Sequence, residues 1–144
     1  MMPTLPCMCA NLRRASRALT QFYEEALRST GLRSSQFTIL QVLTFAGEVT
    51  QRQLGEILAM DSTTLTRTLA IMIREGWVRK RHGHDRRECR INMTPEGKAL
   101  FKRALPLWER TQSKLHRQLG NSRWDQLMAL ADTVTKAATT APDT

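Results

Sequence analysis

Apolar side chains in this chain recur at spacings of three and four residues almost throughout, and only between Gly76 and Thr94 does the pattern change to alternation. A chain written this way folds as a helical assembly carrying one small extended element. The first stripe, Leu12, Ala15, Leu19, Phe22, Tyr23 and Ala26, predicts a helix from about Met8 to Ser29, with Gly31 as its stop. Ser34 or Ser35 is expected to accept the free amide hydrogens of a second helix, which carries Phe37, Ile39, Leu40, Val42 and Leu43 and ends near Gly47. Thr50 should cap a short third helix with Leu54, Ile57 and Leu58 on its apolar face, and Asp61 or Ser62 a fourth with Leu65, Leu69, Met72 and Ile73 as its buried stripe. After Gly76, Trp77 to Arg79 begin a strand, and Cys89 to Met93 return as a second one around a long basic tip. Thr94 and Pro95 open a fifth helix running toward Leu119, bent at Pro106, and Ser122 caps a sixth with Trp124, Leu127, Met128, Ala131 and Val134 on one face. The tail from Ala137 to Thr144 is expected to fray.

The charge is concentrated beside that extended element. Of 22 Lys and Arg and 13 Asp and Glu in 144 residues, eleven basic and five acidic ones lie between Asp61 and Arg103, a net of +6 within a total of +9. A basic balance of this kind favours a polyanionic partner. The densest run is Arg79, Lys80, Arg81, Arg86, Arg87 and Arg90, opposed only by Asp85 and Glu88. One domain fits the length, and no apolar run approaches the roughly 18 residues that a membrane-spanning helix needs. No membrane partner is expected. Three cysteines make no disulfide framework and Met1 to Ala10 has no secretion-signal pattern, so a cytoplasmic setting is expected.

Two short helices joined by a tight turn from Ala59 to Asp61 have the proportions of a helix-turn-helix, whose second helix enters the major groove of double-stranded DNA by its N-terminal end. That end carries Ser62, Thr63, Thr64, Thr66 and Arg67. Small hydroxyl side chains permit close approach to base edges and phosphates, and the guanidinium of Arg67 matches guanine or phosphate with two hydrogen bonds. A basic hairpin following directly makes the unit a winged helix. Its tip is long enough to reach the neighbouring minor groove, where Arg86 or Arg87 can insert, with Asp85 expected to hold the Arg87 guanidinium in position. The fold class is thus mainly α with a small β-hairpin wing, an α+β arrangement of one domain over 1–144. A winged helix-turn-helix lobe is expected over 34–94, flanked by helical regions over 8–30 and 95–138.

The stretch DRRECRINMT, Asp85 to Thr94, resembles the wing signature D-x-R-x5-L-T of the multiple-antibiotic-resistance regulators, the MarR family, with Met93 in the place of the usual Leu. The similarity extends through QFTILQVL, TQRQLGEIL, DSTTLTRTLAIMIREGWVRK and TPEGKAL, nearly the whole chain. It implies a transcriptional repressor or activator working as a homodimer on a near-palindromic site, with the first, fifth and sixth helices of two subunits interlocked and 8–30 and 95–138 as the helical dimerisation region. Leu12, Leu19, Trp108, Leu115, Trp124, Leu127 and Met128 are the dimer-core candidates, although the same residues could close a bundle within one subunit. A low-specificity nucleoid-type DNA binder and a protein-interaction module are the competing functional classes. The resemblance also implies a small aromatic or phenolic effector held between the dimer and DNA lobes.

Nothing in the sequence converges on catalysis. His82 and His84 share a basic tip that repels cations, His116 stands apart, and no glycine-rich phosphate loop occurs, so neither enzyme activity, metal nor cofactor is expected. The cysteines are more suggestive. Cys7 and Cys9 precede or open the first helix, where the positive end of the helix and Arg13 and Arg14 favour thiolate. Members of the resembled family that respond to organic hydroperoxides carry a reactive Cys near the start of the first helix and a Tyr farther along it. Cys9 and Tyr23 sit at comparable places, which makes an oxidant the alternative effector. Cys89, in the wing, is read as a small packing residue.

Overall fold

The computed structural model describes residues 3–85 and 87–140, and Arg86 therefore lies outside the described residues. Helix α1 (Met8–Leu27) passes through a 3-10 turn (Arg28–Thr30) into α2 (Ser34–Ala46). A two-residue strand β1 (Val49–Thr50) precedes α3 (Gln51–Leu58) and α4 (Ser62–Arg74). Then come β2 (Val78–His82), β3 (Cys89–Met93), α5 (Pro95–Leu119) and α6 (Asn121–Thr139). The expected helices and hairpin are all present, and among the described residues no helix is long and apolar enough to cross a membrane.

Local chemistry accounts for most of the boundaries. Thr50 accepts from the Gln53 amide while its own amide donates to the Gln53 side chain, a reciprocal cap that starts α3. Thr94 caps α5 by accepting from the Gly97 amide, with Pro95 in the first turn where a missing N–H costs nothing. Two caps differ from expectation. The residue before α2 is Arg33, whose amide donates to Gln36 Oε1, and the Ser34 amide donates to Glu24 of α1, so neither Ser34 nor Ser35 caps with its hydroxyl. Helix α6 begins at Asn121 directly after Gly120, placing Ser122 inside the helix rather than before it. It also remains helical to Thr139, beyond the expected fraying point at Ala137.

Strand β1 has no signature in the sequence, because two residues are too few to display alternation. It adds an outer strand to the hairpin, giving a sheet ordered β1-β3-β2 with all neighbours antiparallel. Val49 pairs with Ile91, and Val78 with Met93. Val49, Val78 and Ile91 are buried in the same core as Leu54, Leu65, Leu69 and Met72. Each such fully buried aliphatic chain contributes roughly 1.5–3 kcal/mol relative to exposure.

That core does not stop at the expected lobe boundary. Leu27 of α1 and Leu100, Phe101 and Ala104 of α5 belong to it, packed with Phe37, Ile39 and Leu40 of α2. Phe37 stacks on Phe101 at 5.3 Å and on Trp108 at 5.7 Å between ring centroids. The first three turns of α5 are therefore part of the winged lobe's interior. They come unusually close to the hairpin, since a Cβ on Gly97 would lie 2.1 Å from the Trp77 carbonyl oxygen. Beside it, the buried Thr94 hydroxyl donates to the Gly76 carbonyl at 2.6 Å.

Candidate nucleic-acid interface

The turn between α3 and α4 is compressed by Ala59, which adopts the left-handed conformation at φ 49°. This brings Met60 N within 3.0 Å of the Gly55 carbonyl, and Asp61 then starts α4. Asp61 accepts the Thr64 amide at 3.0 Å and the Thr64 hydroxyl at 2.6 Å. These bonds, the hydroxyl foremost, hold the Asp61 carboxyl below the usual carboxylate range. Thr64, expected among the DNA-reading residues, thus donates its proton to a cap and retains only acceptor capacity. Ser62, Thr63, Thr66 and Arg67 are exposed, while Leu65 and Leu69 anchor the opposite face. Gln51 Nε2 donates to Thr66 Oγ1 at 3.0 Å, leaving the Thr66 proton to donate outward. Gln51 was not singled out by sequence, since a contact across fifteen residues leaves no periodic trace.

In the wing, Arg79, Lys80 and Arg87 are exposed. The tip is shaped by Asp85, but not as expected. Its Oδ1 accepts the backbone amide of Arg87 at 3.0 Å and its carbonyl accepts the Glu88 amide at 2.9 Å. Asp85 therefore fixes the turn that presents Arg87 rather than gripping the guanidinium. Nearer the base, Arg81 and Arg90 stand directly opposite each other. Both lie beside Glu48 in the α2–β1 connection, which the sequence offered no reason to select. Glu48 accepts Arg81 Nε at 2.9 Å and Nη2 at 2.6 Å, and Asn92 Nδ2 at 2.9 Å. Arg90 lies 3.6 Å away and also pairs with Glu88 at 3.0 Å. The Arg81 and Asn92 hydrogen bonds pull the Glu48 carboxyl down to about 2. Cys89 is half-buried across from His82, with Sγ 3.8 Å from Nδ1.

The remaining candidates lie on the long helices. Leu12 (45%), Leu19 (40%), Leu127 (46%) and Met128 (56%) are exposed large apolar side chains, and none of the α6 residues is buried in the single chain. Leu115 is half-buried. Trp108 is half-buried and engaged within the chain through Phe37, and Trp124 stacks on His116 at 4.6 Å. Cys7 and Cys9 are exposed, and Arg13 Nη2 lies 3.2 Å from Cys9 Sγ. Tyr23 is half-buried, its hydroxyl bonded to Gln112 of α5, and burial raises its pKa. It stands about 21 Å from Cys9 along α1, so the two do not meet within one chain.

Residues 30–88 match the model of the MarR family. The chain is 32% identical over 101 residues to the organic hydroperoxide resistance transcriptional regulator of Bacillus subtilis, covering 69% of each protein. It is 31% identical over 90 residues to the uncharacterized HTH-type transcriptional regulator YwoH of the same organism, covering 62% of this chain and 66% of that protein. The match thus spans about two thirds of the length of these relatives. Among solved structures, the Mycobacterium tuberculosis transcriptional regulator MosR in complex with DNA superposes with a TM-score of 0.87 at 35% identity, over 95% of this chain and 99% of that one. Sequence and fold agree, and the chain belongs to the MarR family of transcriptional regulators.

Proposed function

We propose that the chain is a sequence-specific double-stranded DNA-binding regulator that acts as a homodimeric repressor on a near-palindromic operator. One observation carries this: α4 exposes Ser62, Thr63, Thr66 and Arg67 at its N-terminal end and leads, through Gly76, straight into a ribbon exposing Arg79, Lys80 and Arg87. Thr66 donates to an acceptor on a base or phosphate, and Arg67 forks onto guanine or phosphate oxygens. Arg87 enters the adjacent minor groove, where negative potential deepens as the groove narrows. The related MosR is named in complex with DNA, which supports this role. Exposed Leu12, Leu19, Leu127 and Met128 supply the apolar face that a second copy covers, and two-fold symmetry sets the recognition helices about one DNA turn apart.

The signal that releases the operator is an oxidant or a small aromatic or phenolic molecule. The exposed Cys9 thiol beside Arg13 favours the oxidant, as does the relative named for organic hydroperoxide resistance. A Cys9 thiolate attacks the peroxide O–O bond to give a sulfenic acid and an alcohol. The Cys7 thiol then condenses with it, releasing water and leaving a disulfide.

The test uses a duplex enriched by the wild-type protein from a randomised pool. Arg67→Ala and Arg87→Ala should each weaken binding at least about fivefold, in line with roughly 1–3 kcal/mol per direct contact, with unchanged thermal unfolding. Full affinity of both variants would overturn the interface. Cumene hydroperoxide should release the wild type and not Cys9→Ser, and equal release of both would remove the oxidant from the mechanism.

A further inference from the structure

The wing carries two arginines whose charge is already spent. Extending the strand register, Glu48 stands level with Asn92, on the same face as Arg90 and Arg81 one step farther along the ribbon. Two guanidinium groups directly opposite each other on adjacent strands repel. Glu48 resolves that conflict with a two-point contact to Arg81, a bond from Asn92 and the nearby Arg90, while Glu88 takes the other side of Arg90. Arg81 nonetheless keeps 59% of its side chain exposed and Arg90 keeps 37%. Pairs this open contribute little to folding stability. Their weight falls on what the exposed charges are able to touch.

We propose that Glu48 is a specificity-determining residue, which clasps Arg81 and Arg90 and withholds them from the phosphate backbone. The proposal rests on the DNA-binding role above. Phosphate contacts add affinity to every sequence alike, so a wing with two further unpaired arginines would bind random DNA more tightly without reading the operator better. With the clasp closed, the wing's contribution comes from Arg87 at the tip and from Arg79 and Lys80. The clasp is charged at neutral pH, well above a Glu48 carboxyl that its hydrogen bonds pull down to about 2.

The experiment measures anisotropy of a fluorescein-labelled random-sequence duplex and of the enriched duplex from 50 to 200 mM KCl, for wild type, Glu48→Ala, Arg81→Ala and the double variant. Each freed arginine that reaches a phosphate steepens the slope of log affinity against log salt by about 0.9. On random duplex, Glu48→Ala frees Arg81 in each of the two subunits while Glu88 still holds Arg90, so its slope should be steeper than wild type by about 1.8, an additional loss of affinity of about twelvefold over that fourfold salt range. Its preference for the enriched duplex should shrink at 50 mM. Adding Arg81→Ala should recover nearly all of the steepening, because Glu88 keeps Arg90 paired, whereas Arg81→Ala alone should leave the wild-type slope nearly unchanged. A role limited to holding the fold would weaken both duplexes together with no steepening. If Glu48→Ala does not fold, Glu48→Gln removes the charge while keeping an acceptor for Asn92 and carries the same expectation, and the Arg81→Ala result stands independently. Unchanged slopes in the Glu48 variants, or an Arg81→Ala slope flattened by about 1.8, one contact in each subunit of the otherwise wild-type protein, would overturn the clasp and leave the DNA-binding role intact. Failure of the wild type to bind either duplex would overturn both.

Discussion

Replacing Gly97 by Ala sets two effects of opposite sign against each other. As a substitution in the first turn of α5 it should stabilise the helix by at most about 1 kcal/mol, because alanine loses less backbone freedom. Against that, the new Cβ would lie 2.1 Å from the Trp77 carbonyl oxygen and 2.9 Å from Met93 Cγ, where 3.0 Å is the least that real Cβ atoms tolerate. The methionine can swing aside, but the carbonyl belongs to the backbone. The first turn of α5 must therefore move away from the hairpin by about 1 Å, at an overpacking cost of about 1–3 kcal/mol. The same movement stretches the buried bonds from the Thr94 hydroxyl to Gly76 and from the Gly97 amide to Thr94, adding a comparable penalty. The net expectation is a loss of about 3 kcal/mol, and a fall in melting temperature of about 10 °C. Urea unfolding followed by circular dichroism, at one fixed protein concentration, measures it. A Gly97→Ala protein as stable as wild type, or more so, would refute the claim that α5 and the hairpin are in rigid backbone contact.

Ala59→Gly should act in the opposite direction, raising stability by about 1 kcal/mol in the same urea assay because φ 49° strains any residue with a Cβ. Asp61→Ala should cost about 1 kcal/mol by removing the α4 cap. For acid stability, Glu48 is lowered on folding from the ordinary 4.5 to about 2. Its contribution is therefore complete above pH 4.5 and disappears as pH falls toward 2, so the melting temperature of Glu48→Gln should decline less than that of wild type across that window. Leu127→Glu with Met128→Glu should give monomers at concentrations where the wild type sediments as a dimer, since both side chains are exposed in the single chain. A monomeric wild type in that sedimentation experiment would remove the homodimer from the mechanism.

What the sequence made legible was local. The caps at Thr50, Asp61 and Thr94 depend on residues three positions away, and the helical stripes declare themselves within one or two turns. The basic ribbon and the N-terminal end of α4 were found the same way. What stayed hidden depends on partners brought together from far along the chain. Glu24 meets Ser34 across ten residues, Gln51 meets Thr66 across fifteen, and Glu48 reaches Arg81 and Asn92 across thirty-three and forty-four. No periodicity encodes such meetings. Asp85 was legible as a residue acting on Arg87, but not in the group it holds, because a carboxylate two residues before an arginine can accept from either its amide or its side chain.

Phe37, held between Phe101 and Trp108, has a mechanical consequence. Two of the three rings sit on α5 and one on α2, so the stack ties these two helices together. In a pair of such molecules, an effector would change the span between the two α4 helices by tilting whole halves, as the jaws of a caliper move. Each half would remain a competent reader, and the pair would lose its operator by no longer matching the pitch of the double helix.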